Sequence, residues 1–388
     1  MPPIHVWGYL DELEAERGAI DAAIDTVLRS GRLILGQQVE TFERRFAAYC
    51  GVEHGVGVNS GTDALFLAFK ALGVGAGDEV ITVSNTAVPT VAAIAATGAR
   101  TRFVDIDPAT YLMDVSQVAG EINERTKCVV PVHLFGQCVD MDQLAEALAG
   151  TEVKIVEDCA QAHGAEYRGR RAGSMSDLSA FSFYPTKILG GYGDGGLIAT
   201  AEEALAARLR RLRFYGMEDR YYSIEHGYNS RLDELHAAIL LTKLDHLESY
   251  IERRRELAAR YDRLLAPLSG APLSGAPMSG APLSESGGLT LPATAPHNRH
   301  AYYLYVVRHP ARDEILERLR EREIFLNISY PWPIHTMTGY RELGYVEGDL
   351  PHTERAAKEI FSLPMFPALG DDDQERVCEA LGEVLATL

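Results

Sequence analysis

Residues 178–196 read LSAFSFYPTKILGGYGDGG, a predicted strand followed by a glycine-rich loop, and we expect the chemistry to lie in this stretch. Its first half is apolar, aromatic and alternating, a pattern that predicts a buried strand. Pro185 cannot donate to a strand ladder and is expected to end the pairing, which leaves Lys187 beside an apolar run. An amine in that position can act as a nucleophile toward an aldehyde, and the following glycines let backbone approach a bulky group. The alternative is a surface lysine in a loose turn.

The glycines at 191, 193 and 196 also spell G-x-G-x-x-G, a pattern found in dinucleotide-binding folds. That motif binds a dinucleotide when it follows a strand and opens a helix. Here it runs into residues 197–200, LIAT, which are typical of another strand. We therefore reject a dinucleotide site.

Strands and helices alternate along the chain before this stretch. Strands are predicted at 54–59, 80–83, 101–104, 128–132 and 153–156, and helices at 10–28, 38–49, 60–72, 90–96 and 141–148. This rhythm predicts an α/β fold with a mostly parallel sheet flanked by helices. In such sheets, ligands bind at the carboxyl ends of the strands.

Two polar groups follow predicted strands and are therefore expected at that edge. Asp158 stands just beyond the strand at 153–156, with Gln161 and His163 close behind it. Ser60, Gly61 and the residues after them open a helix, and the free N–H groups of a helix start bind anions. Simpler interpretations remain open, because Ser60 and Asp158 could be ordinary helix caps and His163 a packed core residue.

The remainder of the chain predicts a second, smaller unit. A long helix is expected from 232 to about 264, bridging two domains, and residues 266–284 repeat the unit APLSG, which predicts a flexible surface insertion at 266–286. A strand at 302–307 and helices at 311–320, 353–361 and 372–385 then predict an α+β domain. We assign 1–250 to a large domain, with an N-terminal helical segment, and 251–388 to a small one.

Composition excludes several classes of partner. The chain has 388 residues, 46% hydrophobic and 24% charged, as expected of a globular protein with a sizeable core. Its formal net charge of -18 disfavours nucleic acid and anionic membranes as partners. Five scattered cysteines without a C-x-x-C pair predict neither disulfides nor a metal site. Without a recognisable signal peptide or membrane span, we expect a cytoplasmic protein.

Three of these signals point to one cofactor. A lysine that can form a Schiff base, a carboxylate at a neighbouring strand end and an anion-binding helix start are what pyridoxal 5'-phosphate requires of a protein. The carboxylate would keep the ring nitrogen protonated, and the helix start would hold the phosphate.

The chain resembles the DegT/DnrJ/EryC1/StrS family of pyridoxal-phosphate sugar aminotransferases over nearly its whole length. The resemblance is carried by residues 59–65 (NSGTDAL), 157–165 (EDCAQAHGA), 181–196 and 227–233 (GYNSRLD). It implies an aspartate-aminotransferase-like fold of type I. It also implies transfer of an amino group from L-glutamate to a nucleotide-linked keto sugar, most similar to dTDP-deoxysugar enzymes of antibiotic pathways, with C3 or C4 amination left open.

The resemblance further implies a role for each matching residue. Lys187 bonds the cofactor and shuttles a proton, and Asp158 pairs with the ring nitrogen. The remaining contacts are Gln161 near the ring hydroxyl; Gly61, Thr62 and Ser182 at the phosphate; and Asn229, which reaches the phosphate of the partner subunit in a homodimer.

The chain departs from this family pattern at two positions. Ala87 stands where many relatives carry an aromatic residue over the ring, and Ser329 where many carry histidine. Three rival functions use the same cofactor. A sugar dehydratase of the same family would replace Lys187 by histidine. A cyclitol aminotransferase would act on a different acceptor, and a non-catalytic cofactor-binding regulator is disfavoured by the retention of Lys187 with Asp158.

Overall fold

The computed structural model describes residues 2–269 and 288–388. Its helices, in chain order, are α1 Tyr9–Ser30, α2 Gln37–Cys50, α3 Gly61–Ala71, α4 Val88–Ala96, α5 Val118–Glu121, α6 Met141–Ala147, α7 Glu203–Leu212, α8 Glu234–Leu244, α9 Leu247–Leu265, α10 Arg312–Arg320, α11 Pro351–Glu359 and α12 Asp371–Leu385. Its strands are β1 Ile4–His5, β2 His54–Val58, β3 Glu79–Val83, β4 Arg100–Val104, β5 Thr126–Val129, β6 Lys154–Asp158, β7 Glu166–Tyr167, β8 Arg170–Arg171, β9 Leu178–Ser182, β10 Gly196–Thr200, β11 Met217–Asp219, β12 Tyr222–Ser223, β13 Asn298–Arg299, β14 Tyr305–Arg308, β15 Ile324–Phe325 and β16 Ile360–Leu363.

The central sheet has the strand order β2-β10-β9-β6-β5-β3-β4. Strand β10 runs antiparallel to both of its neighbours, β2 and β9, and the other pairings are parallel. The predicted α/β class with a mostly parallel mixed sheet is therefore confirmed. The glycine-rich run is followed by strand β10 and not by the helix that a dinucleotide-binding motif requires, as predicted.

This topology gathers the candidate residues at one edge. Strands β2, β9, β6 and β3 point the same way, so their carboxyl ends share an edge of the sheet. Strand β9 ends at Ser182 and β6 at Asp158, while β2 leads directly into Ser60 and α3. Strand β9 ends before Pro185, as predicted, and its last hydrogen bond toward β10 is donated by the Phe183 amide to the Gly195 carbonyl at 2.8 Å.

Helix boundaries follow local chemistry where capping residues are present. Gly31 ends α1 in the left-handed conformation, φ 66°, which glycine adopts without strain. The Ser60 hydroxyl accepts the Asp63 amide at 3.1 Å and starts α3. Packing then stabilises the helices, because Phe42 and Phe46 of α2 are completely buried in one hydrophobic cluster with Phe183. Truncating such a phenylalanine typically costs about 3–5 kcal/mol.

The C-terminal elements form a smaller α+β unit. Strand β14 pairs antiparallel with β16, and a separate hydrophobic cluster includes residues of α9, α10 and α12. Ile4 of β1 packs into this cluster, because β1 pairs with β15. The division of the chain at residue 250 remains a prediction. Of the insertion predicted at 266–286, residues 270–286 lie outside the described part of the chain.

Two predicted helices are wrong in extent. The long helix expected from 232 to about 264 is interrupted at Asp245 and His246, between α8 and α9. The hydrophobic pattern hides this break, because Leu244 and Leu247 on either side both pack into the core. The helix expected at 353–361 ends at Glu359, because Ile360–Leu363 is completely buried as strand β16.

The helices differ from membrane spans in length or in composition. None of those within residues 2–269 and 288–388 combines the length and apolar character that crossing a bilayer requires.

Candidate active site

Lys187 lies in the turn that follows β9. Its amide donates to the Tyr184 carbonyl at 2.9 Å, and the two residues after it are buried, which anchors the turn. Its side chain is half-buried, and the Nζ atom lies 4.7 Å from the centre of the Tyr303 ring, a cation–π contact. The Tyr303 hydroxyl also hydrogen-bonds the Thr186 hydroxyl at 3.0 Å. Tyr303 thus holds the lysine turn from the C-terminal part of the chain.

Asp158 is the last residue of β6, beside β9, and only 5% of it is exposed. One carboxylate oxygen accepts the Thr90 hydroxyl at 2.9 Å and the other accepts the Ala160 amide at 3.1 Å. Burial raises the pKa of Asp158, whereas the Ala160 amide, the Thr90 hydroxyl and the positive charge of Lys187 lower it. The structure therefore brings the lysine and the carboxylate into one electrostatic environment.

The start of α3 forms a cradle against the end of β9. A Cβ atom on Gly61 would lie 2.6 Å from the Cβ of Ser182, so only glycine fits there. Within the described residues, the amides of Gly61 and Thr62 donate to no acceptor in the chain. Free amides and the positive end of a helix suit an anion, and the Ser182 hydroxyl stands beside them.

Gln161 is fixed by both ends of its amide group. Its oxygen accepts the Phe135 amide at 2.8 Å, and its nitrogen donates to the Tyr330 hydroxyl at 2.8 Å. Burial raises the pKa of Tyr330, which keeps that hydroxyl protonated. The Gln161 side chain is thus held in one orientation, three residues after Asp158.

Asn229 lies close to the cradle along the same chain, but its side chain is exposed. Its backbone carbonyl accepts the Asn59 side-chain amide at 3.1 Å, and Asn59 also accepts the Arg231 amide at 2.8 Å. These bonds tie the 229–231 segment to the end of β2. They orient the backbone of Asn229 and leave its side chain free for contacts outside the chain.

His163 is completely buried among Phe46, Phe181 and Phe183, with ring-centre distances of 6.2, 5.5 and 5.8 Å. Neither ring nitrogen has a side-chain hydrogen-bond partner within the described residues. Burial lowers the pKa of His163 to about 3, and the positive charge of Lys187 adds to that effect. The ring is therefore neutral throughout the physiological range.

This burial predicts acid sensitivity. A histidine with a folded pKa of about 3 and an unfolded pKa of about 6.5 leaves stability unaffected above pH 6.5 and reduces it as pH falls toward 3. We expect His163→Phe to reduce the loss of unfolding free energy between pH 7 and pH 5 by about 2 kcal/mol. Urea unfolding at the two pH values measures this difference, and His226→Phe, at an exposed site, is the control. An unchanged pH 7 to pH 5 difference in His163→Phe would contradict the assignment.

A second polar cluster lies behind Asp158. His133, Glu157 and Cys159 offer ligand atoms within 4.8 Å of one another. The Glu157 carboxylate, however, already accepts hydrogen bonds from His133, Gly173, Met175 and Ser176. Burial alone would raise the pKa of Glu157, but these donors lower it overall. The cluster is thus an internal hydrogen-bond network that fixes the loop at 173–176 to β6.

A cavity of about 730 Å³ lies beside the segment that follows Tyr330. Pro331, Trp332, His335 and Tyr345 contribute to its wall, and 68% of Trp332 is exposed. None of the predicted site residues lines it. The lysine, the carboxylate and the cradle instead lie at the carboxyl edge of the sheet.

Sequence reasoning missed the residues that support the lysine and the carboxylate. Thr90 contacts Asp158 although it lies 68 positions earlier in the sequence. Tyr303 contacts Lys187 from the C-terminal part of the chain. The spacing of Thr86 and Thr90, four residues apart at a helix start, was the one available signal. Nothing local marks Tyr303, because its role depends on how the C-terminal part packs.

Known proteins resemble this chain in sequence and in fold. The chain is 54% identical over 386 residues to a dTDP-3-amino-3,4,6-trideoxy-alpha-D-glucose transaminase of Micromonospora megalomicea subsp. nigra, with 99% of each covered. Its fold matches S. venezuelae DesV in complex with a ketimine intermediate, with TM-score 0.93, 42% identity and 99% of each chain covered. It also matches ntda from Bacillus subtilis with bound cofactor PMP, with TM-score 0.86, 29% identity and coverage of 96% of this chain and 82% of that one.

The fold is that of an aminotransferase of the aspartate-aminotransferase-like fold type I. The model of the DegT/DnrJ/EryC1/StrS aminotransferase family matches residues 14–382, and the chain belongs to this family. The family and the transaminase activity predicted from the sequence are therefore confirmed.

Proposed function

We propose that the chain binds pyridoxal 5'-phosphate at this edge of the sheet and moves an amino group from L-glutamate to the C3 keto group of a dTDP-linked deoxyhexose. The observation that carries this proposal is the placement of Lys187 in the turn after strand β9 and of Asp158 at the end of the adjacent strand β6, beside the Gly61–Ser182 cradle.

The residues present fit this cofactor. It requires an amine, a carboxylate and a phosphate-binding cradle, and the carboxyl edge of the sheet offers one of each. The cradle has two free helix-start amides and no room for a Cβ atom at Gly61. When bound, pyridoxal phosphate supplies an aldehyde and an electron-withdrawing ring through which an amino group passes between two substrates.

Each side chain then has a defined task. The Nζ atom of Lys187 holds the cofactor at rest, and it later moves the proton at the amine-bearing carbon of the substrate. The Asp158 carboxylate holds the proton on the ring nitrogen. Gln161 is oriented by Phe135 and Tyr330 and would lie near the ring hydroxyl. The amides of Gly61 and Thr62, with the Ser182 hydroxyl, bind the phosphate.

A homodimer with shared sites is part of this proposal. Tyr221 and Tyr222, on the β11–β12 arm near Asn229, are 83% and 68% exposed. Large exposed aromatic side chains grouped on one arm are typical of protein interfaces. The exposed Asn229 side chain is then available to the phosphate of the partner's site.

Buried, unpaired cysteines suit a reducing compartment and support a cytoplasmic location.

The substrate is proposed from the relatives. The protein that shares 54% identity is named for a product aminated at C3, and the corresponding substrate carries a keto group at that carbon. Lys187 disfavours the dehydratase alternative, because the proposed proton transfer requires an amine at this position. The choice of C3 over C4 rests on similarity, and a panel of acceptors tests it directly.

Two measurements test the proposal. The purified holoenzyme is mixed with L-glutamate, and conversion of the cofactor from its aldehyde to its amine form is followed by absorbance. The amine form is then offered dTDP-linked 3-keto and 4-keto deoxyhexoses and a keto cyclitol. We expect conversion by glutamate and regeneration of the aldehyde by the 3-keto sugar. Preference for another acceptor would contradict the substrate, and no conversion by glutamate would favour a regulator.

A further inference from the structure

Two buried threonines lie in series behind the Asp158 carboxylate. Thr90, in the first turn of α4, is 1% exposed and donates its hydroxyl proton to Asp158 at 2.9 Å. The Thr86 hydroxyl, also buried, lies 2.9 Å from the Thr90 hydroxyl oxygen. A hydroxyl has a single proton, and that of Thr90 points to the carboxylate. Thr86 must therefore donate to Thr90, which makes a directed chain of hydroxyls that ends on Asp158.

We propose that Thr90, supported by Thr86, is a positioning residue that aims the Asp158 carboxylate at the ring nitrogen of the cofactor. The inference rests on the proposed function, since it requires that Asp158 meet that nitrogen. Thr90 itself does not touch the cofactor. It acts by fixing one carboxylate oxygen, while the Ala160 amide fixes the other at 3.1 Å.

Geometry and electrostatics agree on this role. A threonine inside a helix commonly returns its hydroxyl to a carbonyl of the preceding turn, but Thr90 reaches a carboxylate on another element. Burial raises the pKa of Asp158, and the hydroxyl of Thr90 is among the groups that oppose the rise. A chain of donors polarised in one direction strengthens its last bond. Without the Thr90 hydroxyl, this carboxylate oxygen would lose the bond that fixes its direction and could turn away from the ring, which would weaken the ion pair between Asp158 and the ring proton.

The experiment observes the ring nitrogen directly. Holoenzymes are prepared with pyridoxal phosphate labelled with ¹⁵N in the ring, and the ¹⁵N chemical shift is followed against pH. The series comprises wild type, Thr90→Val, Thr90→Ser and Thr86→Val. We expect Thr90→Val to release the ring proton about one pH unit lower than wild type. Thr90→Ser should restore the wild-type titration, and Thr86→Val should shift it less than Thr90→Val.

Controls separate positioning from packing. Thr97→Val removes another buried hydroxyl at the far end of α4, where it donates to the Ile94 carbonyl at 2.7 Å, and should not move the titration. A wild-type titration in both Thr90→Val and Thr86→Val would overturn the inference. If Thr90→Val does not fold, Thr86→Val alone decides, because it removes only the outer donor.

The variant Asp158→Asn tests the role of the threonines separately from the proposed contact between Asp158 and the ring nitrogen. If Asp158→Asn releases the ring proton and the threonine variants do not, the positioning role of Thr90 and Thr86 is wrong and the proposed role of Asp158 stands. If Asp158→Asn also leaves the ring proton in place, the proposed contact between Asp158 and the ring fails as well.

Discussion

Replacing Lys187 with alanine is expected to abolish amino transfer and to leave the fold intact. The amine that bonds the cofactor and moves the substrate proton is lost, so both half-reactions should slow by about 10³-fold or more. The structural loss is small, because the side chain is half-buried and its Nζ atom contacts the face of Tyr303. That contact contributes about 0.5–1 kcal/mol. Single-turnover absorbance with L-glutamate measures the rate, and thermal unfolding measures the fold.

The matched control is Lys358→Ala, which removes an exposed lysine paired with Glu347 at 3.1 Å. It should retain wild-type rates. Turnover by Lys187→Ala at the rate of Lys358→Ala would exclude Lys187 as the group that moves the proton.

Replacing Asp158 with asparagine is expected to retain the cofactor while slowing both half-reactions by about 10²–10³-fold. Asparagine keeps the shape and can still accept a hydrogen bond, but it carries no charge to hold the ring proton. Lys187 and the Gly61–Ser182 cradle remain, so binding should change little. Stopped-flow absorbance of the aldehyde-to-amine conversion measures the rate, and equilibrium dialysis measures the retained cofactor.

Asp105→Asn is the matched control for loss of a buried carboxylate. Asp105 follows β4 at the same edge of the sheet, is 4% exposed and accepts the Thr353 hydroxyl at 2.7 Å. Its replacement should lower stability and leave the rate of the folded fraction unchanged. Equal slowing by both variants would mean that Asp158 acts through stability and not on the ring.

Much of the fold could be predicted because its signals are local. Alternating strands and helices predicted the sheet, and residues that follow strands placed Asp158 and the Gly61 cradle at one edge. The antiparallel insertion of β10 between β2 and β9 was beyond local reasoning, because strand order depends on long-range pairing. The break at Asp245 and His246 was hidden for a related reason, since Leu244 and Leu247 preserve an apolar pattern across it.

The candidate site likewise contains residues that could be predicted from the sequence and residues that could not. Lys187 and Asp158 could be found by their chemistry and by their position after apolar strands. Thr90 and Tyr303 could not, because a threonine at a helix start and a tyrosine in an apolar segment are common in any core. Their meaning comes from distances of 2.9 Å to Asp158 and 4.7 Å to Lys187, which exist only in the folded chain.

The central claim is tested most directly by identifying the residue to which the cofactor is covalently attached. The purified holoprotein is treated with borohydride, digested, and searched by mass spectrometry for a peptide that carries a pyridoxyl group. We predict a single modified peptide, with the group on Nζ of Lys187 and none in Lys187→Ala. A pyridoxyl group on another lysine, or on none, would contradict the central claim that Lys187 holds the cofactor.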